Sequence, residues 1–209
     1  MFSSSLLLGR SAFITGGGTG ICRGIALAFA RHGCDVAIAS RRSEHLDPTV
    51  AELERCGVRA LGLPADVREP TAIGAAVDEA ARAFGRLDIL VNGAAGNFLC
   101  LVEALSPNGF GTVIDIDLKG TFHASKAALP WLKATRGVVL NISATLHYGG
   151  TPAQSHVSAA KAGIDALTRN LAVEWGGYGI RVVGIAPGPI DGTEGVARLH
   201  QIFAARTLY

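Results

Sequence analysis

The stretch Thr15-Gly16-Gly17-Gly18-Thr19-Gly20-Ile21-Cys22 decides the fold of this 209-residue chain. It follows a short apolar run, residues 11–15, and precedes a helix-like pattern over residues 21–32. Glycines let a backbone approach a pyrophosphate, and the free N–H groups of a helix N-terminus attract its charge. A glycine run alone also suits an ordinary tight turn, but this one lies between a first strand and a first helix, as dinucleotide binding requires. The stretch therefore predicts a nucleotide-binding loop.

Apolar runs typical of strands alternate with helix-like stretches along the whole chain. The runs are short and apolar on both faces, as central parallel strands are. The stretches between them carry apolar residues at spacings of three and four. This alternation predicts an α/β fold, a doubly wound parallel Rossmann sheet, in one domain over residues 1–209. The predicted strands are 11–15, 35–39, 59–63, 88–92, 137–143 and 181–186, and the predicted helices are 21–32, 44–56, 71–84, 108–132 and 155–175.

Composition and charge disfavour several other classes of protein. The net charge of +2, from 19 basic and 17 acidic residues, gives no field strong enough to indicate a nucleic-acid partner. The four cysteines form no CxxC pair, which favours free thiols in a reducing compartment over a zinc site. No apolar run reaches the ~18 residues of a membrane span, so we expect none.

The end of the second predicted strand indicates which dinucleotide binds. NAD-binding proteins place an acid there for the ribose 2′-hydroxyl, whereas this chain has Ser40-Arg41-Arg42. A guanidinium suits a 2′-phosphate, so the sequence predicts NADP(H). A solvated basic turn is the alternative. Cys22 occupies the third glycine position of the usual pattern, and we expect this small residue to be tolerated there.

Four motifs together resemble the short-chain dehydrogenase/reductase family over nearly the whole chain. They are the glycine loop, Asp66-Val67, Asn92-Gly93-Ala94-Ala95-Gly96 and Pro187-Gly188-Pro189-Ile190. In that family the Asp66 position holds the adenine, and the Pro-Gly loop meets the nicotinamide. The resemblance implies the following cofactor-binding residues: Gly16, Gly17, Gly18, Thr19, Gly20, Ile21, Arg41, Arg42, Asp66, Val67, Asn92, Ala94, Lys161, Pro187, Gly188, Pro189, Ile190 and Thr193.

The catalytic signature departs from the family pattern. Lys161 is present, but Val157 stands four residues before it in place of the usual Tyr, and Ala144 replaces the usual Ser. Neither side chain can donate a proton, which disfavours reduction of a ketone. One branch of the family lacks both hydroxyls, namely the peroxisomal enzymes that reduce 2,4-dienoyl-CoA thioesters. The chain resembles the plant-like members of that branch in residues 94–99, 105–110, 115–117, 141–148, 156–161 and 186–195.

That resemblance implies a mechanism and a site. NADPH would deliver hydride to the distal end of the diene, charge would move to the thioester oxygen, and protonation would give a 3-enoyl-CoA. Lys161 would hold the nicotinamide ribose and lend positive charge, and Asp117 would position or protonate a water. The alternative for Asp117 is a helix-surface or capping carboxylate. His123 is expected to be structural. His147 and His156 are also expected to be structural, with a role as acids as the alternative. The implied substrate-binding residues are Arg41, Arg68, Phe98, Ser106, Pro107, Asn108 and Arg198, although a solvated arginine or a core Phe remains open for each.

The chain ends at Thr207-Leu208-Tyr209, where members of the family continue. We therefore expect the usual seventh strand to be missing and the lid that starts at residues 195–205 to be incomplete. The resemblance implies a homo-oligomer for a full-length form and a peroxisomal location, although the last three residues are no peroxisomal address, which leaves a cytoplasmic location open. Two alternatives to a dienoyl-CoA reductase remain: another NADP(H)-dependent enoyl or carbonyl reductase of this fold, and an inactive, truncated form that binds the cofactor.

Overall fold

A computed structural model describes residues 3–193. Six strands in this range form one sheet, in which every neighbouring pair is parallel. They are β1 (Ser11–Thr15), β2 (Asp35–Ser40), β3 (Ala60–Pro64), β4 (Ile89–Asn92), β5 (Val138–Ile142) and β6 (Arg181–Ile185). Their order across the sheet is β3-β2-β1-β4-β5-β6. The predicted doubly wound parallel sheet is confirmed.

Helices connect the strands and cover both faces of the sheet. They are α1 (Gly20–Arg31), α2 (Ser43–Glu54), α3 (Pro70–Phe84), α4 (Pro107–Ile114), α5 (Gly120–Thr135), α6 (Leu146–Gly149) and α7 (Ser155–Gly176). A short 3-10 turn, Val102–Ala104, precedes α4, and a π-helical turn, Asp115–Lys119, joins α4 to α5. None of the helices within residues 3–193 combines the length and the apolar character that a membrane span needs.

Apart from shifts of one or two residues at helix ends, two predictions about the helices differ from the structure. The single helix predicted over residues 108–132 is α4, the π-helical turn and α5 in succession. Apolar spacing cannot distinguish a π turn from an α turn, because the two differ by one residue in one turn. The single turn α6 was not predicted, since four residues are too few to show a helical period.

The core consists of two apolar layers, one on each face of the sheet. Successive strand residues point to opposite faces, so Phe13 of β1 packs with α3, α5 and α7, whereas Ala12 and Ile14 pack with α1 and α2. All five residues of β1 are buried, as a central strand with helices on both sides requires.

The strand order creates a crevice between β1 and β4. The chain leaves β1 towards α1 in one layer and leaves β4 towards α5 in the other layer. Connections that diverge at the carboxyl ends of neighbouring strands leave a gap there, which is where ligands bind in open α/β sheets. The loops after β1, β2, β3, β4 and β6, which carry predicted site residues, lie at this edge.

Candidate active site

The glycine loop after β1 is packed too closely for side chains. Gly16 has a φ of +71°, its N–H donates to the Ala39 carbonyl at 2.8 Å, and a Cβ on it would lie 3.0 Å from the backbone of Ala94. A Cβ on Gly17 would lie 2.5 Å from Ile38 Cγ2. Thr19, the N-cap of α1, makes no side-chain capping bond, and the first turn of α1 has no acidic residue. The loop therefore offers a bare backbone and uncapped helix N–H groups, which fits a dinucleotide pyrophosphate.

Cys22 and Gly93 join the glycine loop to the turn after β4. Cys22 is buried in α1, and its Sγ occupies the space where a Cβ on Gly93 would lie. Burial raises the pKa of the Cys22 thiol to about 11, so the group is a neutral packing element. Thr15 Oγ1 accepts the N–H groups of Gly93 at 3.0 Å and of Ala94 at 3.2 Å. The cysteine is thus accommodated by the absence of a side chain at Gly93.

The two basic residues after β2 are exposed. Arg42 donates to Glu44 at 3.3 Å, and both side chains are about two-thirds exposed. Arg41 is also exposed, and its charge helps to lower the pKa of Asp66. The structure therefore brings the loops after β2 and β3 to the same edge of the crevice, as the cofactor assignment requires.

Asp66, predicted to bind the adenine, and Arg68, predicted to bind coenzyme A, form an ion pair with each other after β3. The Arg68 guanidinium donates to both oxygens of the Asp66 carboxylate, with Nη2–Oδ2 at 2.6 Å. Hydrogen bonds from the Arg68 side chain hold the pKa of Asp66 below its ordinary value. The Val67 carbonyl accepts a hydrogen bond from His123 Nδ1 at 2.9 Å, which fits the structural role expected for this histidine.

Asp117 and Lys161 form a buried pair. Asp117 is 1% exposed, its Oδ1 accepts the Gly96 N–H at 2.7 Å, and its Oδ2 lies 3.2 Å from Lys161 Nζ without good hydrogen-bond geometry. Lys161 Nζ also donates to the Ile142 carbonyl at 3.0 Å. Burial raises the pKa of Asp117, although the Lys161 charge and the Gly96 N–H oppose that shift. The alternative of a surface or capping carboxylate is wrong, because the side chain faces the interior.

The π-helical turn gives Asp117 its inward direction. Asp115 and Lys119, at the two ends of this turn, form an exposed ion pair at 2.7 Å, whereas Asp117 between them is buried. Thr121 Oγ1 donates to the Asp117 carbonyl at 2.6 Å and so satisfies a backbone group within the widened turn. π turns inside α-helices frequently occur at functional sites.

The predicted substrate residues between β4 and α4 have local structural partners. Phe98 is 37% exposed, which excludes a fully buried core role. Ser106 is the N-cap of α4 and accepts the Gly109 N–H at 3.0 Å, so Pro107 and Asn108 lie in the first turn of that helix. Leu101 and Val102, which the sequence interpretation did not single out, are 51% and 70% exposed, three and four residues after Phe98. Their signal was an apolar pair in a segment without helical or strand periodicity.

The loop after β6 closes the other side of the crevice. Thr193 Oγ1 donates to the Ile190 carbonyl at 2.7 Å, and a Cβ on Gly20 would lie 3.8 Å from Thr193 Cγ2. The Pro187-Gly188-Pro189 segment lies between β6 and Ile190. It therefore belongs to the same loop as Thr193, which lies next to Gly20 of the glycine loop. Arg198 lies outside the described residues.

A cavity of about 200 Å³ lies elsewhere and does not coincide with these residues. None of the predicted cofactor, catalytic or substrate residues between residues 3 and 193 lines it. The glycine loop and the Asp117–Lys161 pair therefore form the candidate site apart from this cavity. Within residues 3–193, no group of three or more His, Cys, Asp or Glu side chains could hold a metal ion. The residues that line the cavity are Ser143, Tyr148, Asp165, Thr168, Arg169, Gly184 and Ala186.

The family profile described as short chain dehydrogenase matches residues 10–201. The chain belongs to the short-chain dehydrogenase/reductase family. It is 51% identical over 208 residues to the protein from Arabidopsis thaliana named peroxisomal 2,4-dienoyl-CoA reductase [(3E)-enoyl-CoA-producing], covering 95% of this chain and 70% of that protein. The protein of the same name from Danio rerio is 52% identical, with 95% and 67% covered. The crystal structure of NAD⁺-bound xylitol dehydrogenase matches with a TM-score of 0.91 at 28% identity, covering 95% of this chain and 77% of that one.

As a short-chain dehydrogenase/reductase, the chain is an oxidoreductase with the nicotinamide-cofactor fold. At the position of the family Tyr, Val157 is 3% exposed and packs with Val113 and Ala160. Ala144, at the Ser position, is half-buried and brings no hydroxyl. The departure from the family signature thus leaves two apolar side chains in place of hydroxyls, and Lys161, one helical turn after Val157 in α7, pairs with Asp117.

A network of hydrogen bonds between buried amide and hydroxyl side chains lies next to the candidate site. Asn92 Nδ2 donates to Ser125 Oγ at 2.9 Å and to Asn141 Oδ1 at 2.8 Å, and Asn141 Nδ2 donates to Thr168 Oγ1 at 2.8 Å. These bonds join β4, β5, α5 and α7 near the ends of the strands. Asn92, predicted to bind the cofactor, is 2% exposed and directs its donors into this network. The sequence interpretation missed Ser125, Asn141 and Thr168, because only the fold brings them together.

Proposed function

We propose that this chain is an NADPH-dependent 2,4-dienoyl-CoA reductase that produces 3-enoyl-CoA in the β-oxidation of unsaturated fatty acids. The observation that carries the proposal is the buried Asp117–Lys161 pair beside a wall without hydroxyls at Val157 and Ala144. The names of the two relatives at 51% and 52% identity support it. The balanced reaction is 2,4-dienoyl-CoA plus NADPH plus H⁺ giving 3-enoyl-CoA plus NADP⁺.

The cofactor would lie across the crevice between β1 and β4. The bare glycine loop would hold the pyrophosphate, the turn after β4 and the loop after β6 would flank the nicotinamide half, and Asp66 would hold the adenine. Exposed Arg41 and Arg42 would bind the 2′-phosphate, since no carboxylate at the end of β2 repels it. When bound, the reduced nicotinamide supplies the hydride. One domain over the whole chain, as proposed from the pattern, would carry all of these contacts.

Lys161 would stabilise the negative charge that grows on the thioester oxygen. Its ammonium is fixed by the Ile142 carbonyl at 3.0 Å and by Asp117 at 3.2 Å, and it is 7% exposed. A charge that is already oriented in a poorly solvated site needs little reorganisation of its surroundings as the reaction proceeds. The lysine would also hold the nicotinamide ribose.

Asp117 would position or protonate the water that delivers a proton to the carbon next to the carbonyl. Burial raises its pKa, which brings the carboxyl closer to the range in which it can hold a proton at working pH. Protonation through an ordered water needs no Tyr beside the substrate oxygen, because the reaction forms no alkoxide. The apolar side chain of Val157 at the family Tyr position agrees with such a reaction.

The coenzyme A thioester would enter past the segment between β4 and α4. Phe98, Leu101 and Val102 offer an exposed apolar surface to the acyl chain, and Ser106, Pro107 and Asn108 lie at the start of α4 beyond them. Arg41, Arg68 and Arg198 would meet phosphates. Arg68 must exchange its bonds with Asp66 to do so, which links substrate entry to the adenine side of the cofactor site. A peroxisomal location and a homo-oligomeric state complete the proposal, the former supported by the names of the relatives.

The test is loss of NADPH absorbance when the purified chain meets a 2,4-dienoyl-CoA, with NADH and a simple ketone as controls. We expect turnover with NADPH and the dienoyl-CoA alone. Asp117→Asn should abolish it and retain NADPH binding. Lys161→Met should abolish it and also weaken NADPH binding, because Lys161 would hold the nicotinamide ribose. The matched controls are Asp115→Asn and Lys119→Met, which remove exposed charges from the same π turn.

Three outcomes would overturn parts of this proposal. Reduction of the ketone would favour a carbonyl reductase of the same fold. NADPH binding without any turnover would favour an inactive, cofactor-binding form. Activity in Asp117→Asn equal to that of Asp115→Asn would remove the carboxylate from the reaction.

A further inference from the structure

Three hydrogen bonds attach the substrate-side segment to the start of α7. His156 Nε2 lies 3.0 Å from the Phe98 carbonyl, the Cys100 N–H donates to the Ala153 carbonyl at 3.0 Å, and Asn97 Nδ2 lies 3.4 Å from Gln154 Oε1. Ala153, whose carbonyl accepts one of these bonds, has a φ of +61°, a left-handed conformation that is uncommon for alanine. The segment after β4 is therefore held at several points rather than free to move as a surface loop.

His156 is the most deeply placed member of this attachment. It is fully buried, and its ring packs on that of Phe98 with centroids 4.5 Å apart. A carbonyl oxygen only accepts, so Nε2 carries the proton and donates. Nδ1 is then a buried acceptor, and it has no hydrogen-bond partner within the described part of the chain. An apolar side chain would avoid that unsatisfied nitrogen, so packing alone does not account for an imidazole here.

The same attachment reaches the catalytic pair through two peptide units. Gly96 lies two residues before Phe98, and its N–H donates to Asp117 Oδ1 at 2.7 Å. A Cβ on Gly96 would lie 2.9 Å from Ile116 Cδ1, so the backbone rests directly on the π-helical turn. Fixing the Phe98 carbonyl therefore restricts the short backbone segment that carries the Gly96 N–H.

We propose that His156 is a positioning residue of the reductase: by donating to the Phe98 carbonyl it holds the Gly96 N–H on Asp117 and the Phe98 ring at the substrate side. The proposal rests on the proposed function for its kinetic consequences. His156 acts through Phe98 and Gly96, and it takes no part in proton transfer itself.

The test compares His156→Leu, which removes the donor, with His156→Gln, whose amide can reach the place of Nε2. His156→Leu should lower kcat with the dienoyl-CoA by about 10- to 100-fold and raise its KM, because small misplacements of reacting groups have effects of that size. NADPH affinity should stay unchanged. His156→Gln should restore most of the turnover. His32→Leu is the matched control, since His32 Nδ1 also binds a backbone carbonyl, that of Ser3 at 2.7 Å, away from the site.

The pH dependence of kcat supplies a second readout. Burial raises the pKa of Asp117, and the Lys161 charge and the Gly96 N–H act against that shift. Both variants lack the imidazole, so a difference between them reports the Gly96 bond. With Leu, the loosened bond should move the limb of the profile assigned to Asp117 to higher pH than with Gln.

Equal kcat, KM and pH profiles in wild type, Leu and Gln variants would overturn the proposal. Equal losses in Leu and Gln variants, accompanied by a lower Tm and weaker NADPH binding, would also overturn it, because they would indicate a purely structural residue. If the wild-type chain does not reduce a dienoyl-CoA, the proposed function fails separately. Amide hydrogen exchange at Gly96 then remains decisive: faster exchange in the Leu variant alone supports the positioning role, and equal exchange in all three refutes it.

Discussion

Replacing Gly93 by alanine tests the packing that joins the glycine loop to the turn after β4. The new Cβ would overlap the buried Sγ of Cys22 and would lie 3.3 Å from Ile142 Cγ1 and 3.5 Å from the Thr15 carbonyl. Gly93 is not among the residues with positive φ, so alanine meets no backbone conflict and the effect is one of volume. The thiol is enclosed, with Cys22 4% exposed, and has little room to retreat.

The expected size follows from the cost of overfilling a close-packed interior. Extra carbon atoms in such a site cost about 1–3 kcal/mol of the free energy of unfolding. For a domain of this size each kcal/mol shifts Tm by about 2–4 °C, so Gly93→Ala should lower Tm by about 2–12 °C. Cys22→Ala should lower Tm less, because it removes one buried sulfur. In the double variant the new Cβ fills the space of that sulfur, and the two effects should couple favourably by about 0.5–3 kcal/mol.

The assay is thermal and urea unfolding of the two single variants and the double variant, followed by circular dichroism. Gly74→Ala is the control, since it adds the same methyl group inside α3 where nothing lies within 4 Å, and it should raise stability by about 0.5–1 kcal/mol. Wild-type stability in Gly93→Ala, or a double variant no more stable than the sum of the single effects, would refute this account of Cys22.

Three further predictions concern charge and backbone conformation. Arg41→Ala should weaken NADPH much more than NADH in a fluorescence titration, and equal weakening would contradict binding of the 2′-phosphate. Burial alone would raise the pKa of Asp88, but hydrogen bonds from Arg86, Arg10 and a backbone N–H outweigh it and lower the pKa. Asp88→Asn should therefore lower the free energy of unfolding by about 1.5–3 kcal/mol in urea at pH 7. The difference from wild type should vanish as the pH falls from about 4 through the lower pKa of Asp88 in the folded state. A difference that is the same at all pH values would exclude this linkage. Ala153→Gly should raise the free energy of unfolding by about 1 kcal/mol by relieving the left-handed conformation, and a lower Tm would speak against it.

The sequence predicted the fold because its strands are local and apolar. All six predicted strands are present, with boundaries that differ from the predicted ones by at most one residue. β4 begins at Ile89 rather than Asp88, although the Asp88 backbone N–H donates to the Ser11 carbonyl and its carbonyl accepts the Val138 N–H. Differences of one residue are usual at the ends of elements. What a local pattern does not contain is the pairing of Asp88 with Arg10 and Ser11, which are 78 and 77 residues away.

The candidate site was predictable in its residue types but not in its connections. The family likeness pointed to Asp117 and Lys161, yet the Gly96 N–H and the Ile142 carbonyl that hold them come from other loops and strands. Arg68 was expected to be available for phosphate and is instead bound to Asp66. The expectations for the chain end, including a missing seventh strand and Arg198, concern residues outside 3–193 and stay predictions.

The π-helical turn has a consequence for how such sites change during evolution. A π turn holds one residue more than an α turn, so deleting a residue within Asp115–Lys119 would restore a regular helix with the backbone hydrogen-bond ladder intact. The carboxylate would then swing by about 100° around the helix axis, out of the interior, while α5 kept most of its contacts with α3. A single codon gained or lost is thus enough to add or remove an interior acid in this scaffold, without rebuilding the core around it.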